Sequence, residues 1–194
     1  MPRISTATLA QHRDWRRQQL ISAATQIALE EGGAAITVAA VAERAGLSRT
    51  SVYEYFGSSA ELVADLVIEE LSQFSSTLHD AIAGTQVPTE AITGWIDAAL
   101  RYIADGRHLL AKALSATSMP KDRAQEIGEA HRALLAPLRK ALVDLGVVDV
   151  VQALVLIQSV TDAATKRIEC GNEAELEITN TSNFCLAGVL ALTR

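Results

Sequence analysis

Residues 48–56, SRTSVYEYF, gather Tyr53, Tyr55 and Phe56 into four positions of a chain that holds only three tyrosines and three phenylalanines. They follow a run of hydrogen-bonding side chains, Ser48-Arg49-Thr50-Ser51. At about 100° per residue on a helix, Val52 and Phe56 share one face and Thr50 and Glu54 the opposite one, with Ser51, Tyr53 and Tyr55 on the flanks. The outer face then offers short donors and acceptors with an arginine at its N-terminal end, which suits a DNA major groove about 12 Å wide. Tyrosines on the flanks can rest their rings on the protein and aim hydroxyls at phosphates, positioning the helix without reading sequence. Phe56 turns inward as core.

So short a helix with so thin an apolar stripe is not stable alone and must dock on a neighbour. The neighbour stands in TVAAVAERAGLSRTSVYEYF, residues 37–56. Thr37 caps a helix containing Ala40, Val41 and Ala45, Gly46 permits a tight turn, and Ser48 caps the next helix. Val41, Ala45, Leu47 and Val52 meet in one small core, while Ala42 is small enough for two helices to cross closely. The pattern is a helix-turn-helix.

Upstream, Trp15, Leu20, Ala23, Ala24, Ile27 and Ala28 recur at three- and four-residue steps, predicting an amphipathic helix over 14–31 stopped by Gly32-Gly33. Residues 1 to about 12 read as a flexible arm. Downstream, a long helix starts near Ser58 or Ser59, with Leu62, Leu66, Phe74, Leu78 and Ile82 as its stripe and Gly84 near its end. Pro88 opens the next helix, which carries Ile92, Trp95, Ile96, Ala99, Leu100 and Ile103. Gly106 and Pro120 bracket RHLLAKALSATSM, and three more helices are expected at about 122–144, 149–169 and 174–192. The valine-rich 147–155 has strand propensity, yet no partner strand is apparent, so helix is preferred.

Hydrophobic residues make up 49% and charged residues 21% of the 194, with four prolines, which fits one sizeable all-α core or two smaller ones. The net charge of −6 is unevenly spread. Residues 1–57 hold six arginines against five acidic residues, so the acidity lies beyond them and does not oppose a nucleic-acid partner for the N-terminal third. Cys170 and Cys185 show no metal-ligand spacing and lie too far apart in an antiparallel hairpin for a disulfide, as expected for a reducing cytoplasm. The most apolar stretch, VVDVVQALVLIQSV, is interrupted by Asp149, Gln152 and Gln158 and falls short of a bilayer span. No nucleophile-base pair, paired carboxylates, phosphate loop or metal cluster is apparent, so neither catalysis nor a cofactor is expected.

Residues 14–66, and within them AGLS, SVYEYF and SSAEL most specifically, resemble the N-terminal domain of the TetR family of transcriptional regulators. Beyond residue 70 the likeness is one of helical organisation only. The resemblance implies an all-α homodimer of about nine helices per chain, with a DNA-binding domain at 1–57 and an effector-binding and dimerisation domain at 58–194. It implies that Arg49, Thr50 and Ser51 face bases and that Thr37, Ser48, Tyr53 and Tyr55 contact the DNA backbone. Arg16 or Arg17, at the start of the first helix, reaches phosphate in the same scheme, though a charged pair on a helix reads equally as a solvated face. Where the family commonly has lysine, this chain has Ser59, which offers only a hydroxyl near a helix N-terminus.

In the C-terminal helices Trp95, Tyr102, His131, Gln158 and Asp162 are polar or aromatic groups in apolar surroundings, the kind that orient a ligand in an apolar pocket. His79 and His108 show no short metal-binding spacing with His131. The last two helices carry broad apolar faces, with Val151, Leu154, Val155 and Ile157 on one and Ile178, Phe184, Leu186, Val189 and Leu190 on the other, as a four-helix dimer interface requires. The expected function is a cytoplasmic repressor that a small-molecule effector releases from a palindromic double-stranded DNA operator. An all-α small-molecule-binding enzyme and a helical protein-interaction module are the alternatives, and salt-sensitive binding to duplex DNA separates the regulator from both.

Overall fold

The computed structural model describes residues 6–114 and 123–193, and among them nine α-helices and no strand. In chain order they are α1 (Thr6–Glu31), α2 (Val38–Ala45), α3 (Arg49–Tyr53), α4 (Ser59–Ala81), α5 (Pro88–Ala104), α6 (Leu109–Leu114), α7 (Ala124–Asp144), α8 (Val150–Glu169) and α9 (Ala174–Leu190). The all-α expectation holds, and most boundaries follow from local chemistry. Gly46 adopts φ 67°, the left-handed conformation that ends α2, with the Leu47 amide donating to the Ala42 carbonyl at 2.8 Å. Asp149 caps α8 by accepting from the Gln152 amide at 2.9 Å, so the valine-rich segment is helical from Val150. Just before it, Val147 forms an isolated bridge with Thr193, the one strand-like contact of that stretch among the described residues.

The first helix departs from expectation. It starts at Thr6 rather than near Asp14, because no Gly or Pro interrupts the chain between Arg3 and Glu31. Residues 6–12 are therefore helical rather than an arm, while the arm expected at 1–5 and the stop expected at Pro120 lie outside the described residues. Trp15, expected on the apolar stripe, is exposed. Ile21 takes part in the core instead, with Leu20, Ala24 and Ile27.

The chain divides into two compact units, Met1–Glu70 with Leu109–Ile127, and Leu71–His108 with Gly128–Arg194. The first therefore reaches past residue 57 to take in the first half of α4 and all of α6. Its core joins Leu20, Ala24 and Ile27 of α1, Val41 of α2, Val52 of α3 and Leu62 and Leu66 of α4, with Leu114 of α6 fully buried among them. The second unit is a bundle of α5, α7, α8 and α9 with the end of α4, in which Leu78, Ile92, Ile96, Leu138, Leu142 and Ile178 are almost wholly buried. Two polar ties hold it in register. The Trp95 indole N–H donates to the Leu134 carbonyl at 3.0 Å, and the Ser182 hydroxyl donates to Asp97.

Candidate nucleic-acid interface and helical-unit cavity

In the first unit the five residues of α3 are held from beneath and from both ends. Val52 and Phe56 are buried, 0% and 2% exposed, and dock the helix on α1, α2 and α4. Ser48 caps its N-terminus, accepting from the Ser51 amide at 3.1 Å, and Thr37 caps α2 by accepting from the Ala40 amide at 3.1 Å. What remains outside is Arg49, Thr50, Tyr53 and Glu54, all exposed, with Ser51 half-buried and its hydroxyl 3.0 Å from that of Ser48. A helix so anchored presents a cation, a hydroxyl and a phenol on one surface, with its backbone already fixed before binding.

The structure separates residues that spacing alone had grouped. Tyr53 is 56% exposed, whereas Tyr55 is half-buried and packs on the core. Ser59 is the first residue of α4, but Ser58 accepts from the Glu61 amide at 3.1 Å and Glu61 reaches back to the Gly57 amide at 2.9 Å, a reciprocal cap that occupies that helix start. Arg17 is partly exposed but already engaged. It donates to Asp65 at 2.6 Å and lies over the Phe56 ring at 5.6 Å, so its guanidinium is committed to the protein. Arg16 is 5.4 Å from the Trp15 ring centre, and among the described residues it forms no ion pair.

Residues missed from the sequence complete this unit. Asp65 accepts from Arg123 at 2.7 Å as well as from Arg17, and the hydrogen bond that Arg123 donates to Asp65 raises the Arg123 pKa above its ordinary value. Arg44 pairs with Glu30 at 2.8 Å and Glu31 at 3.3 Å, fastening α2 to the end of α1. These partners lie 13 to 58 positions apart, so no local periodicity marks them.

In the second unit Trp95, His131, Gln158 and Asp162 line one cavity of about 150 Å³, walled by Phe74, Leu100 and Leu134. Tyr102 is not with them. It is buried in a stack, 4.4 Å from Phe74 and 4.3 Å beneath the Arg107 guanidinium, a packing role rather than a cavity wall. His108 bonds to Glu169 at 2.8 Å, also away from the cavity. Among the described residues no group of three or more His, Cys, Asp or Glu could hold a metal ion, and no helix is long and apolar enough to cross a membrane.

On α8 and α9 the expected broad apolar faces divide. Leu154, Ile157, Ile178 and Val189 point into the core, while Val151, Val155, Phe184 and Leu190 are exposed. Both cysteines are free thiols, Cys170 exposed and Cys185 buried.

A docked, capped short helix after a glycine turn is a helix-turn-helix, the motif that many DNA-binding proteins place in the major groove. Residues 20–66 match the family model "Bacterial regulatory proteins, tetR family". The resemblance to the TetR family thus holds over residues 20–66. It is 32% identical over 96 residues to the HTH-type transcriptional regulator BetI of Brucella anthropi, the match covering 50% of this chain and 46% of that protein. The BetI of Brucella canis is 31% identical over the same length. The chain thus spans about half the length of the curated relatives it matches. Among solved structures, the fatty acid degradation regulator FadR of Bacillus halodurans superposes with a TM-score of 0.71 at 19% identity, covering 88% of this chain and 94% of that one. FadR of Bacillus subtilis, solved with stearoyl-CoA, gives 0.70 at 21% identity over 91% and 99%. These likenesses show that the whole fold is shared.

Proposed function

We propose that the chain is a ligand-responsive, DNA-binding transcriptional regulator, a repressor that a small-molecule effector releases from a palindromic operator. The observation that carries this reading is α3, whose buried Val52 and Phe56 leave Arg49, Thr50 and Tyr53 exposed on one capped, docked helix. Arg49 and Thr50, with Ser51 at the edge, read bases in the major groove, and Tyr53 positions the helix on phosphate. Thr37, Ser48, Tyr55, Ser59 and Arg16 lie on or beside this surface as backbone contacts. Arg17 acts from behind, holding Phe56 and Asp65. DNA reading belongs to residues 1–57 supported by the start of α4, and sensing and dimerisation belong to the rest. The protein works in the cytoplasm, where its DNA is.

Val151, Val155, Phe184 and Leu190 form the homodimer contact of α8 and α9, setting two copies of α3 one helical turn of DNA apart, about 34–36 Å. The effector enters the cavity that Trp95, His131, Gln158 and Asp162 line. FadR of Bacillus subtilis holds stearoyl-CoA in the same fold, which supports ligand binding as a property this chain shares. Phe74, also in that wall, belongs to α4, the helix whose Leu62 and Leu66 lie in the core beneath α3. An effector that displaces Phe74 tilts α4 and favours the conformation in which the two half-sites cannot be engaged together.

The test is selection from a random duplex pool at near-physiological salt. The reading requires recovered sequences with two inverted half-sites about ten base pairs apart, and their loss with Arg49→Ala. Recovery of unrelated sequences at background level removes it.

A further inference from the structure

The effector reading above leaves the chemistry of the effector open, and the cavity of the second unit narrows it. Its volume of about 150 Å³ is half the lower bound of roughly 300 Å³ that drug-sized ligands occupy, so its occupant is compact. Its floor is apolar, formed by Phe74, Leu100 and Leu134 with the Trp95 ring. The Trp95 N–H is already bound to the Leu134 carbonyl and the Thr161 hydroxyl donates to the Ile157 and Gln158 carbonyls, so neither has a proton left for a ligand.

The groups left to orient a ligand are few. Asp162 is the one carboxylate on the lining, and among the described lining residues none is lysine or arginine. A carboxylate or phosphate ester placed here meets the charge of Asp162 and no lysine or arginine, a repulsion that water screens in part because Asp162 is exposed. An ammonium meets the Asp162 carboxylate, which among the described residues has no hydrogen bond or ion pair, while the Gln158 side-chain carbonyl offers a second acceptor one helical turn away.

We infer that the cavity walled by α4, α5, α7 and α8 takes a compact apolar molecule bearing a single protonated amine, with Asp162 as its counter-ion, in preference to carboxylates and acyl phosphate esters. This rests on the effector reading only for its consequence on DNA, not for the binding itself. It also sets the chain apart from the fold relative solved with stearoyl-CoA, whose ligand carries a long acyl chain and phosphates.

Three probes of one size and shape separate the charges: benzylamine, benzyl alcohol and benzoate. The whole chain carrying Trp15→Phe keeps Trp95 as its only indole, so quenching reports the cavity directly. Benzylamine is expected to quench with an affinity about threefold above benzyl alcohol, with benzoate the weakest of the three. Asp162→Asn is expected to bring benzylamine down to the level of benzyl alcohol and leave benzyl alcohol unchanged. Benzoate binding as well as benzylamine, an amine preference that survives Asp162→Asn, or no quenching by any probe at millimolar concentration overturns the inference. The same titrations are run against duplex DNA from the random-pool selection. Amine binding that depends on Asp162 without changing DNA affinity upholds the ligand class and removes the regulatory reading. Release of DNA by benzoate keeps that reading and removes the ligand class.

Discussion

Arg17 on α1 donates to Asp65 on α4 at 2.6 Å, across 48 positions of sequence, and the same guanidinium lies over the ring of Phe56 that anchors α3. The carboxylate is shared, because Arg123 donates to its other oxygen at 2.7 Å. One side chain on α4 therefore ties that helix to two other stretches of the first unit, at Arg17 and at Arg123. Asp65→Ala leaves two arginines facing each other without their common counter-ion. It should lower stability by about 2 kcal/mol in denaturant unfolding, less than the roughly 3–5 kcal/mol of a fully buried broken pair, because the Arg17 side chain is 39% exposed. Asp65→Asn, which keeps the shape and the acceptor oxygen, should lose less.

The two tyrosines of the opening motif separate by burial. Tyr53→Phe should weaken duplex binding by about twofold to tenfold, the loss of one hydrogen bond, with no change in thermal midpoint. Tyr55 is half-buried against the core, so Tyr55→Ala should lower the midpoint as well as the affinity. Anisotropy and calorimetry on the same preparations distinguish the two. Equal behaviour of the pair would remove the division of roles.

Acid should loosen the second unit through its ion pairs. Hydrogen bonds from Arg101 and Arg167 hold the Glu175 and Glu177 carboxyls below their ordinary range, and Arg167 grips both oxygens of Glu177 at 2.6 to 2.9 Å. A carboxyl depressed on folding contributes stability that is present above its unfolded value and lost as pH falls through its folded one. The thermal midpoint should therefore fall as pH drops below about 4.3, the ordinary glutamate value. Glu177→Gln should flatten that dependence, while a midpoint that stays level down to pH 3 contradicts it.

Phe184 is 68% exposed on α9, and Leu190 of the same helix and Val151 and Val155 of α8 are exposed as well. If these form the homodimer contact, Phe184→Glu should convert a dimer into a monomer at micromolar concentration, read by sedimentation or light scattering. Its fold should be unchanged, since the ring adds nothing to the core. A wild-type chain that is already monomeric would remove the two-half-site arrangement.

The helix-turn-helix was legible because its signals are local. Thr37 and Ser48 cap three residues ahead, Gly46 turns through a positive φ, and Val52 and Phe56 repeat at one helical turn. The start of α1 was not, because residues 6–12 carry neither an apolar repeat nor a breaker, leaving nothing to place a boundary. Arg17 read as a phosphate contact since its partner Asp65 lies far along the chain. Tyr102 read as a pocket residue, whereas stacking on Phe74 and under Arg107 buries it, and nothing in its neighbours along the sequence encodes that. For α8 and α9 the apolar residues were visible, but which of them face the core depends on how α5 packs against α9, a non-local fact.

The central claim is that Arg49 and its neighbours on α3 read DNA. The most direct measurement is the affinity of the chain for a selected duplex and for a scrambled one, across 50 to 200 mM salt, about the range in which phosphate contacts show their slope. The account predicts binding that weakens steeply with salt on both duplexes, a preference for the selected one, and loss of that preference in Arg49→Ala with the salt slope largely kept. Equal affinity for the two duplexes, or a preference that Arg49→Ala leaves intact, would contradict it.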